Sequence, residues 1–391
     1  MAESESEFRA RLGTFLDAHL PGTPPGSGRQ GRAAWQKEWA ATLYDNGFAG
    51  PHWPTEYGGM DLPFTLQVCY HDEMSKRSVP PFPGNGPGIC GPTLIKYGSD
   101  EQRARILPAM LRGDEVWAQG FSEPGAGSDL SSLQTTARRD GDDYIVSGSK
   151  TWSSYADIAD LTFALVRTGT PGSREKGISY LLIDLRSAGI SVRPTRDMSG
   201  DSHFSEITFE EVRVPVANRV GEENGGWRIA RTAMGHERAS RTLVSAAEYR
   251  RRLDVLLGYV RENGPLEPWM RDRLARIYVR VRILWLNAVR TVEHIQTTGE
   301  AGASASVARL YQSLLEQDLY DVSVDLAGPA GLLLGESPHA VMRGAWAKGL
   351  LRTRAATIGA GTAEIQRNTI AEQVLGLPRD PLMPAPAPKG A

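Results

Sequence analysis

The chain changes its hydrophobic period twice, and that double change is what most limits the folds open to it. Between Glu115 and Val220 lie short runs rich in β-branched and aromatic residues: VWAQGFS, YIVSGSKTW, LTFALVRT, GISYLLIDL, GISVRPT and SEITFEEVRVP. Turn formers separate them, as in Arg139-Asp140-Gly141-Asp142-Asp143 and Gly169-Thr170-Pro171-Gly172. Runs of this kind, punctuated in this way, read as strands. On either side of them apolar residues recur at helical spacing. The order is helical, then β, then helical.

In the first helical part, Phe8, Leu12, Phe15 and Leu16 predict a helix over Glu5–His19 that stops before Pro21. A Gly/Pro-rich linker from Pro21 to Gly31 follows, then helices over Trp35–Asn46 and Phe64–Met74, with loop between them at Pro51–Leu62. The stretch Pro80–Pro92, PPFPGNGPGICGP, is dense enough in Pro and Gly to read as a loop, either near a ligand or simply between helices. Ser99 or Asp100 caps a helix from Glu101 toward Met110, and Gly113 ends it. After Gly226 the pattern predicts four long helices, Trp227–Asn263, Pro268–Gly299, Ser304–Leu326 and His339–Thr357, with Gly328-Pro329-Ala330-Gly331 breaking the last two apart. Long helices with short breaks suggest an antiparallel bundle. The resulting division is 1–116 helical, 117–224 β, 225–378 helical, and a Pro/Ala-rich tail over 379–391.

Charge and cysteine content narrow the classes of function. Forty-four basic and 46 acidic residues give a formal net charge of -2, so there is no basic footprint for nucleic acid or a membrane surface. The two cysteines, Cys69 and Cys90, have no metal-ligand spacing, which points to a reducing compartment and to no metal site. An acidic N-terminus and the lack of a long apolar run point to a cytoplasmic protein.

The chemistry is concentrated in three stretches. In GFSEPGAGSD, Gly120–Asp129, the small residues Gly125, Ala126 and Gly127 let main-chain N–H groups approach a phosphate or carbonyl, while Ser122 and Ser128 offer hydroxyls. Alone, the string reads equally as a tight turn in a β domain. The other two stretches are MGHERAS, Met234–Ser240, and IGAGTAEIQRN, Ile358–Asn368.

GFSEPGAGSD at the start of the β part, SGSKTW within it and GAGTAEIQRNTIAEQVLGLPR at the C-terminus occur in this order over nearly the whole chain. The chain thereby resembles the acyl-CoA dehydrogenase family of flavoproteins. The resemblance implies an α+β multi-domain fold: an N-terminal α-helical domain, a middle β-barrel and a C-terminal four-helix bundle. It also implies one FAD per active site and a homodimer or tetramer, or a heterotetramer with a paralogue. By the same resemblance Phe121, Ser122, Gly127 and Ser128 line the flavin and its pyrophosphate, and Trp152 packs on the flavin. Ser154 is the hydroxyl near flavin N5, where the family usually has Thr, and Gly361, Thr362, Glu364 and Gln366 fall on the C-terminal loop that contacts FAD. Ser128, Arg238 and Ala360 are implied on the substrate side.

One departure matters for mechanism. Many members carry a Glu immediately before the Gly-Thr of the C-terminal loop, the base that removes the α-proton; here that position is Ala360, which cannot take a proton. A minority place the base in a Glu-Arg pair on the first helix of the C-terminal bundle, and Glu237-Arg238 stands there. Glu237 is thus the candidate base, with a solvated helix residue paired to Arg241 as the plain alternative. The main-chain N–H of residue 360 remains to stabilise the thioester oxygen. The implied reaction is α,β-dehydrogenation of an acyl-CoA or acyl-carrier-protein thioester, with an electron-transferring flavoprotein as acceptor. Gly359 and Ala360 leave room for a branched, bulky or polycyclic acyl group. A flavin monooxygenase or oxidase on the same fold, and a non-catalytic subunit of a heteromeric dehydrogenase, are the competing readings. The segment Arg261-Glu262-Asn263-Gly264 fits the family's intersubunit FAD contact only loosely.

Overall fold

The computed structural model describes residues 3–22, 28–77, 79–298 and 302–378, with main chain alone for residues 238–241. The expected tail over 379–391 and the middle of the Pro21–Gly31 linker lie outside the described residues. The chain divides into two compact units, one ending at Glu262 and one beginning at Asn263.

The first unit opens with five helices: α1 (Glu5–His19), α2 (Arg29–Asp45), α3 (Phe64–Lys76), α4 (Gly91–Tyr97) and α5 (Asp100–Arg112). Two of them begin with a reciprocal cap. Ser4 and Glu7 close α1, and Ser99 and Gln102 close α5, each satisfying two of the N–H groups a helix start leaves unpaired. Gln102 also donates to the carbonyls of Ala217 and Arg219 at 2.8 and 3.0 Å, so the α5 cap ties the helices to the β part.

Two expectations shift. Helix α2 starts at Arg29, well before Trp35, and Arg29 makes a two-pronged ion pair with Asp157 across the unit, with Nη2 to Oδ1 at 2.6 Å. A tertiary anchor of this kind overrides the weak helix preference of a Gly-containing start. The Pro-rich stretch 80–92 is not all loop: residues Gly86–Cys90 make a π-turn that runs into α4. Pro87 and Pro92 fall in the first turns of these segments, where a missing N–H costs nothing.

The β part is one eight-stranded sheet, β1 (Trp117–Gly120), β2 (Thr136–Asp140), β3 (Asp143–Ser154), β4 (Leu161–Arg167), β5 (Ile178–Asp184), β6 (Ile190–Thr195), β7 (Phe204–Pro215) and β8 (Arg219–Val220). Its pairing order is β6-β7-β3-β2-β4-β5-β8, with β1 parallel to β4. Strands β4 and β5 are buried almost throughout, matching their unbroken apolar runs. Helix α6 (Gly226–Asn263) follows, and Ile229, Ala230 and Ala233 join the core that α1, α3, α5 and the sheet share.

The second unit holds α7 (Pro268–Thr298), α8 (Ser304–Ala327), α9 (Ala345–Thr353) and α10 (Ala363–Thr369). The single helix expected over His339–Thr357 is three pieces, because Met342 and Arg343 take left-handed conformations before α9 and the chain tightens into a 3-10 turn at Arg354–Thr357. Three of the six arginines of α7 make ion pairs: Arg273 with Asp325 at 2.5 Å, Arg276 with Asp272 at 2.8 Å, and Arg280 with Asp318. No helix among the described residues is long and apolar enough to cross a membrane, and no cluster of His, Cys, Asp or Glu among them is placed to hold a metal ion.

Candidate active site

The stretch after β1 is built on a buried ion pair. Phe121 turns its ring into the core, edge-on to Phe163 and Tyr180 at centroid distances of 5.7 and 6.0 Å, so a ligand can reach only its main chain. The carboxylate of Glu123 accepts from Lys150 Nζ at 2.7 Å and from the main-chain N–H groups of Gln134 and Thr135 at 2.6 and 2.9 Å. Lys150 is fully buried and also donates to the Phe121 carbonyl at 3.2 Å. Burial pushes its ammonium down to about 8 against the pull of Glu123. Desolvation works to raise the Glu123 carboxyl, but Lys150 and the Thr135 and Gln134 donors together hold it below the usual carboxylate value. A charge pair with every partner in place fixes the register of two strands and the loop between them.

From that base the loop projects outward. Glu123 and Ala126 exchange main-chain hydrogen bonds at 3.0 Å, which folds the tip into a tight turn with Ala126 buried and Gly125, Gly127 and Ser128 exposed. Neither Gly125 nor Gly127 has a positive φ, and a Cβ at either would meet nothing within 4 Å. Backbone conformation and crowding inside the protein therefore do not account for these glycines. A tip without side chains leaves its main-chain N–H groups open to approach from outside the chain, as a cofactor pyrophosphate would require.

Trp152 stands out of the sheet by a local irregularity. Pairing of β3 with β7 slips between Lys150 and Ser153, Trp152 takes φ 57, and its indole is 62% exposed, edge-on to Phe204 at 5.7 Å. Such a bulge re-aims a side chain, at a strain of roughly 1–3 kcal/mol that the surrounding sheet must hold. The result is a flat apolar wall open to a planar ring. Ser122 and Ser154 are partly exposed, while Ser153 between Trp152 and Ser154 is buried with its hydroxyl unpartnered. The exposed indole, the open glycine tip and the two hydroxyls fit a flavin.

Glu237 lies in the N-terminal half of α6 and is partly buried; the side chains of Arg238 and Arg241 lie outside the described residues. Its neighbour His236 has an Nε2 that is buried without a hydrogen-bond partner. Desolvation holds His236 down at about 4, and it does the same to His71, at about 3, and His52, at about 4, with repulsion of His52 by His236 and of His71 by His52 as second causes. These imidazoles are neutral at pH 7.

In the second unit, the chain leaves the 3-10 turn at Arg354–Thr357 and reaches Ala360, which takes φ 55, and Gly361, with φ 87. Gln366, 3% exposed, donates from Nε2 to the carbonyl of Ala360 at 3.1 Å and to that of Gly361 at 3.4 Å. A Cβ at residue 361 would stand 2.4 Å from that nitrogen, so glycine is required there twice over. The Oε1 of Gln366 is buried and has no hydrogen-bond partner among the described residues. Thr362 caps α10 by accepting from the Ile365 N–H at 3.2 Å, whereas Glu364 is exposed and pairs with Arg367 at 3.4 Å. Thr362 and Gln366 thus shape this loop from within, a role the motif alone did not reveal. Arg261 is exposed in the last turn of α6, and Gly264, with φ 97, follows that helix.

The comparisons with known proteins agree with this architecture. The acyl-CoA dehydrogenase N-terminal, middle and C-terminal domains match residues 2–114, 118–212 and 224–375. The acyl-CoA dehydrogenase IpdE1 of Mycobacterium tuberculosis is 34% identical over 383 residues, covering 96% of this chain and 98% of the relative. The ChsE4-ChsE5 complex from Mycobacterium tuberculosis is similar with a TM-score of 0.83 and 32% identity, over 97% of this chain and 100% of the matched one. The Tcur3481-Tcur3483 steroid ACAD has a TM-score of 0.83 and 33% identity, over 97% and 99%. The three matched domains follow one another in the order of the helical, β and helical parts of the chain. The chain belongs to the acyl-CoA dehydrogenase family, FAD-dependent oxidoreductases that act on CH–CH bonds.

Proposed function

We propose that the chain dehydrogenates a bulky, polycyclic or branched acyl-CoA to the trans-2-enoyl thioester, with Glu237 as the base. The carboxylate of Glu237 takes the α-proton as a proton, and the electron pair left on the α-carbon forms the double bond as the β-hydrogen leaves as hydride. FAD supplies the hydride acceptor when bound. The Ala360 N–H donates to the thioester oxygen as negative charge builds there. Ser122 and Ser128 bind the cofactor, Ser154 donates to its ring, and Trp152 covers one face.

The observation that carries this reading is the pair of side chains at the two places where the family puts its base. Residue 360 presents a methyl group, and residue 237 presents a partly buried carboxylate. The small Gly359 and Ala360, and the steroid ACAD among the relatives, favour a large acyl group. Assembly with a paralogous chain, as in the ChsE4-ChsE5 complex, and an electron-transferring flavoprotein as acceptor belong to the same proposal. An unpartnered apolar stripe on α7, Val279, Ile283 and Leu286, each exposed, supplies surface for assembly.

An anaerobic titration of the FAD-loaded protein with short, branched, long and steroid-like acyl-CoAs tests it through the flavin absorbance. Bleaching by the bulky class alone is the expected result. A flavin band that no thioester bleaches would move the reading to oxygen chemistry or a carrier-protein substrate, and loss of FAD in the absence of a second chain would mark a shared site.

A further inference from the structure

The peptide group between Gly359 and Ala360 has an unusual owner for its carbonyl. Arg309, on α8, donates from one nitrogen, Nη2, to the carbonyl of Ala356 at 2.7 Å and to that of Gly359 at 2.8 Å. The Gly359 carbonyl and the Ala360 N–H are two ends of one planar amide, so whatever fixes the oxygen fixes the direction of the hydrogen. The same contact changes the strength of the donor. A cation hydrogen-bonded to an amide oxygen draws electron density toward it and leaves the N–H more positive. On the other side, Gln366 holds the carbonyl of Ala360 itself, and Ala360 lies in the left-handed region between the two clamps. Both peptide groups that meet at residue 360 are thereby tied at their oxygens.

We propose that Arg309 is a positioning residue for the oxyanion contact: through the Gly359 carbonyl it aims and polarises the Ala360 N–H toward the thioester oxygen of the substrate. The proposal rests on the reading of that N–H as the thioester donor. A purely structural role is the competing account. Arg309 would then do no more than cap the carbonyls at the end of the 3-10 turn, where any cation suffices. The two accounts differ in what the substrate experiences. A structural cap leaves the acidity of a bound α-carbon unchanged once the loop is folded, whereas an aimed and polarised donor raises it by stabilising the enolate.

The test uses the full-length, FAD-loaded protein with Arg309→Met, Arg309→Gln and Arg309→Lys. The probe is acetoacetyl-CoA, which has an acidic α-carbon and is not dehydrogenated. The pH midpoint at which the bound probe becomes its enolate is read from the enolate absorbance. In the wild type this midpoint should lie below that of free acetoacetyl-CoA. Arg309→Met should raise it by about one pH unit, a tenfold weaker acid, and lower kcat for the acyl-CoA substrate about tenfold with little change in KM. Arg309→Lys should recover part of both. Wild-type midpoints in Arg309→Met or Arg309→Gln, with FAD content and thermal midpoint intact, would overturn the proposal. If Arg309→Met fails to fold, Arg309→Gln and Arg309→Lys carry the decision alone. No lowering of the midpoint in the wild type itself would overturn the oxyanion reading of residue 360, and this proposal with it, and is recognised because the variants then match a wild type that has no effect to lose.

Discussion

Two candidate functional residues, Trp152 in the first unit and Ala360 in the second, hold nearly the same strained conformation, φ 57 and φ 55, and each unit holds its own in a different way. Trp152 sits two residues after a lysine that is wholly buried and paired with Glu123, in a strand that pairs with β7 on either side of the slip. Ala360 is held by a half-buried arginine and a buried glutamine amide, each bonded to main-chain carbonyls of the loop. The first arrangement is part of folding itself, because the buried charges have no alternative partner. The second is a set of ordinary hydrogen bonds that can be altered while the unit stays folded. The exposed indole of Trp152 is therefore fixed with the core, and the loop at Ala360 is the part that can be altered.

That contrast can be broken most forcefully at Lys150. Changing it to Met leaves Glu123 buried without its cation, which should cost about 3–5 kcal/mol and be seen in the urea midpoint together with loss of FAD. Pairing it with Glu123→Leu should return part of that loss, since removing both charges is far less costly than removing one. Little change in the single variant would mean that the ion pair is not what fixes the loop.

The same comparison predicts a smaller effect in the second unit. Gln366→Leu frees the Ala360 and Gly361 carbonyls and should cost about 1–2 kcal/mol, with the unit still folded by circular dichroism. Ala360→Gly removes the left-handed strain but adds chain entropy in the unfolded state. It should change stability by no more than about 1 kcal/mol in either direction while keeping the N–H. A loss as large as that of Lys150→Met in either variant would erase the distinction between the two regions.

A pH dependence comes from the histidines of the first unit. Folded His236 and His71, at about 4 and 3, refuse a proton that the unfolded chain takes up below the ordinary value of 6.5. The unfolded state binds more protons across that window, so stability falls as pH drops from 6.5 toward 4. His52 is more exposed, and solvent screening reduces its share. His236→Gln and His71→Gln should each flatten the fall in urea midpoint between pH 7 and pH 5; an unchanged slope would mean that those rings protonate freely in the folded protein.

The sequence made the architecture legible because each of its parts carried a strong local signal. The capped helices Glu5–His19 and Asp100–Arg112, the buried apolar strands β4 and β5 and the three motifs all announced themselves. What it hid was tertiary. The start of α2 at Arg29 depends on Asp157, distant in the chain, and the break at Met342 and Arg343 has no glycine or proline at the two left-handed positions to signal it. The roles of Glu123 and Lys150 sat inside quoted motifs, yet only burial shows that they pair. Phe121 matched a flavin-lining position, but the aromatic core formed by Phe163 and Tyr180 claims its ring. Arg309 had no local signal at all, since an arginine on a long helix reads as a solvated one until its carbonyl partners are seen.

The central claim, that the base is on α6 and residue 360 contributes only its N–H, is tested most directly by single-turnover flavin reduction in Glu237→Gln. The variant should keep its FAD, its absorbance spectrum and its affinity for the acyl-CoA, and should lose about 10²–10⁴-fold in the rate of reduction, with the pH dependence of that rate abolished. Reduction at the wild-type rate would contradict the account and return the search for the base to the rest of the chain.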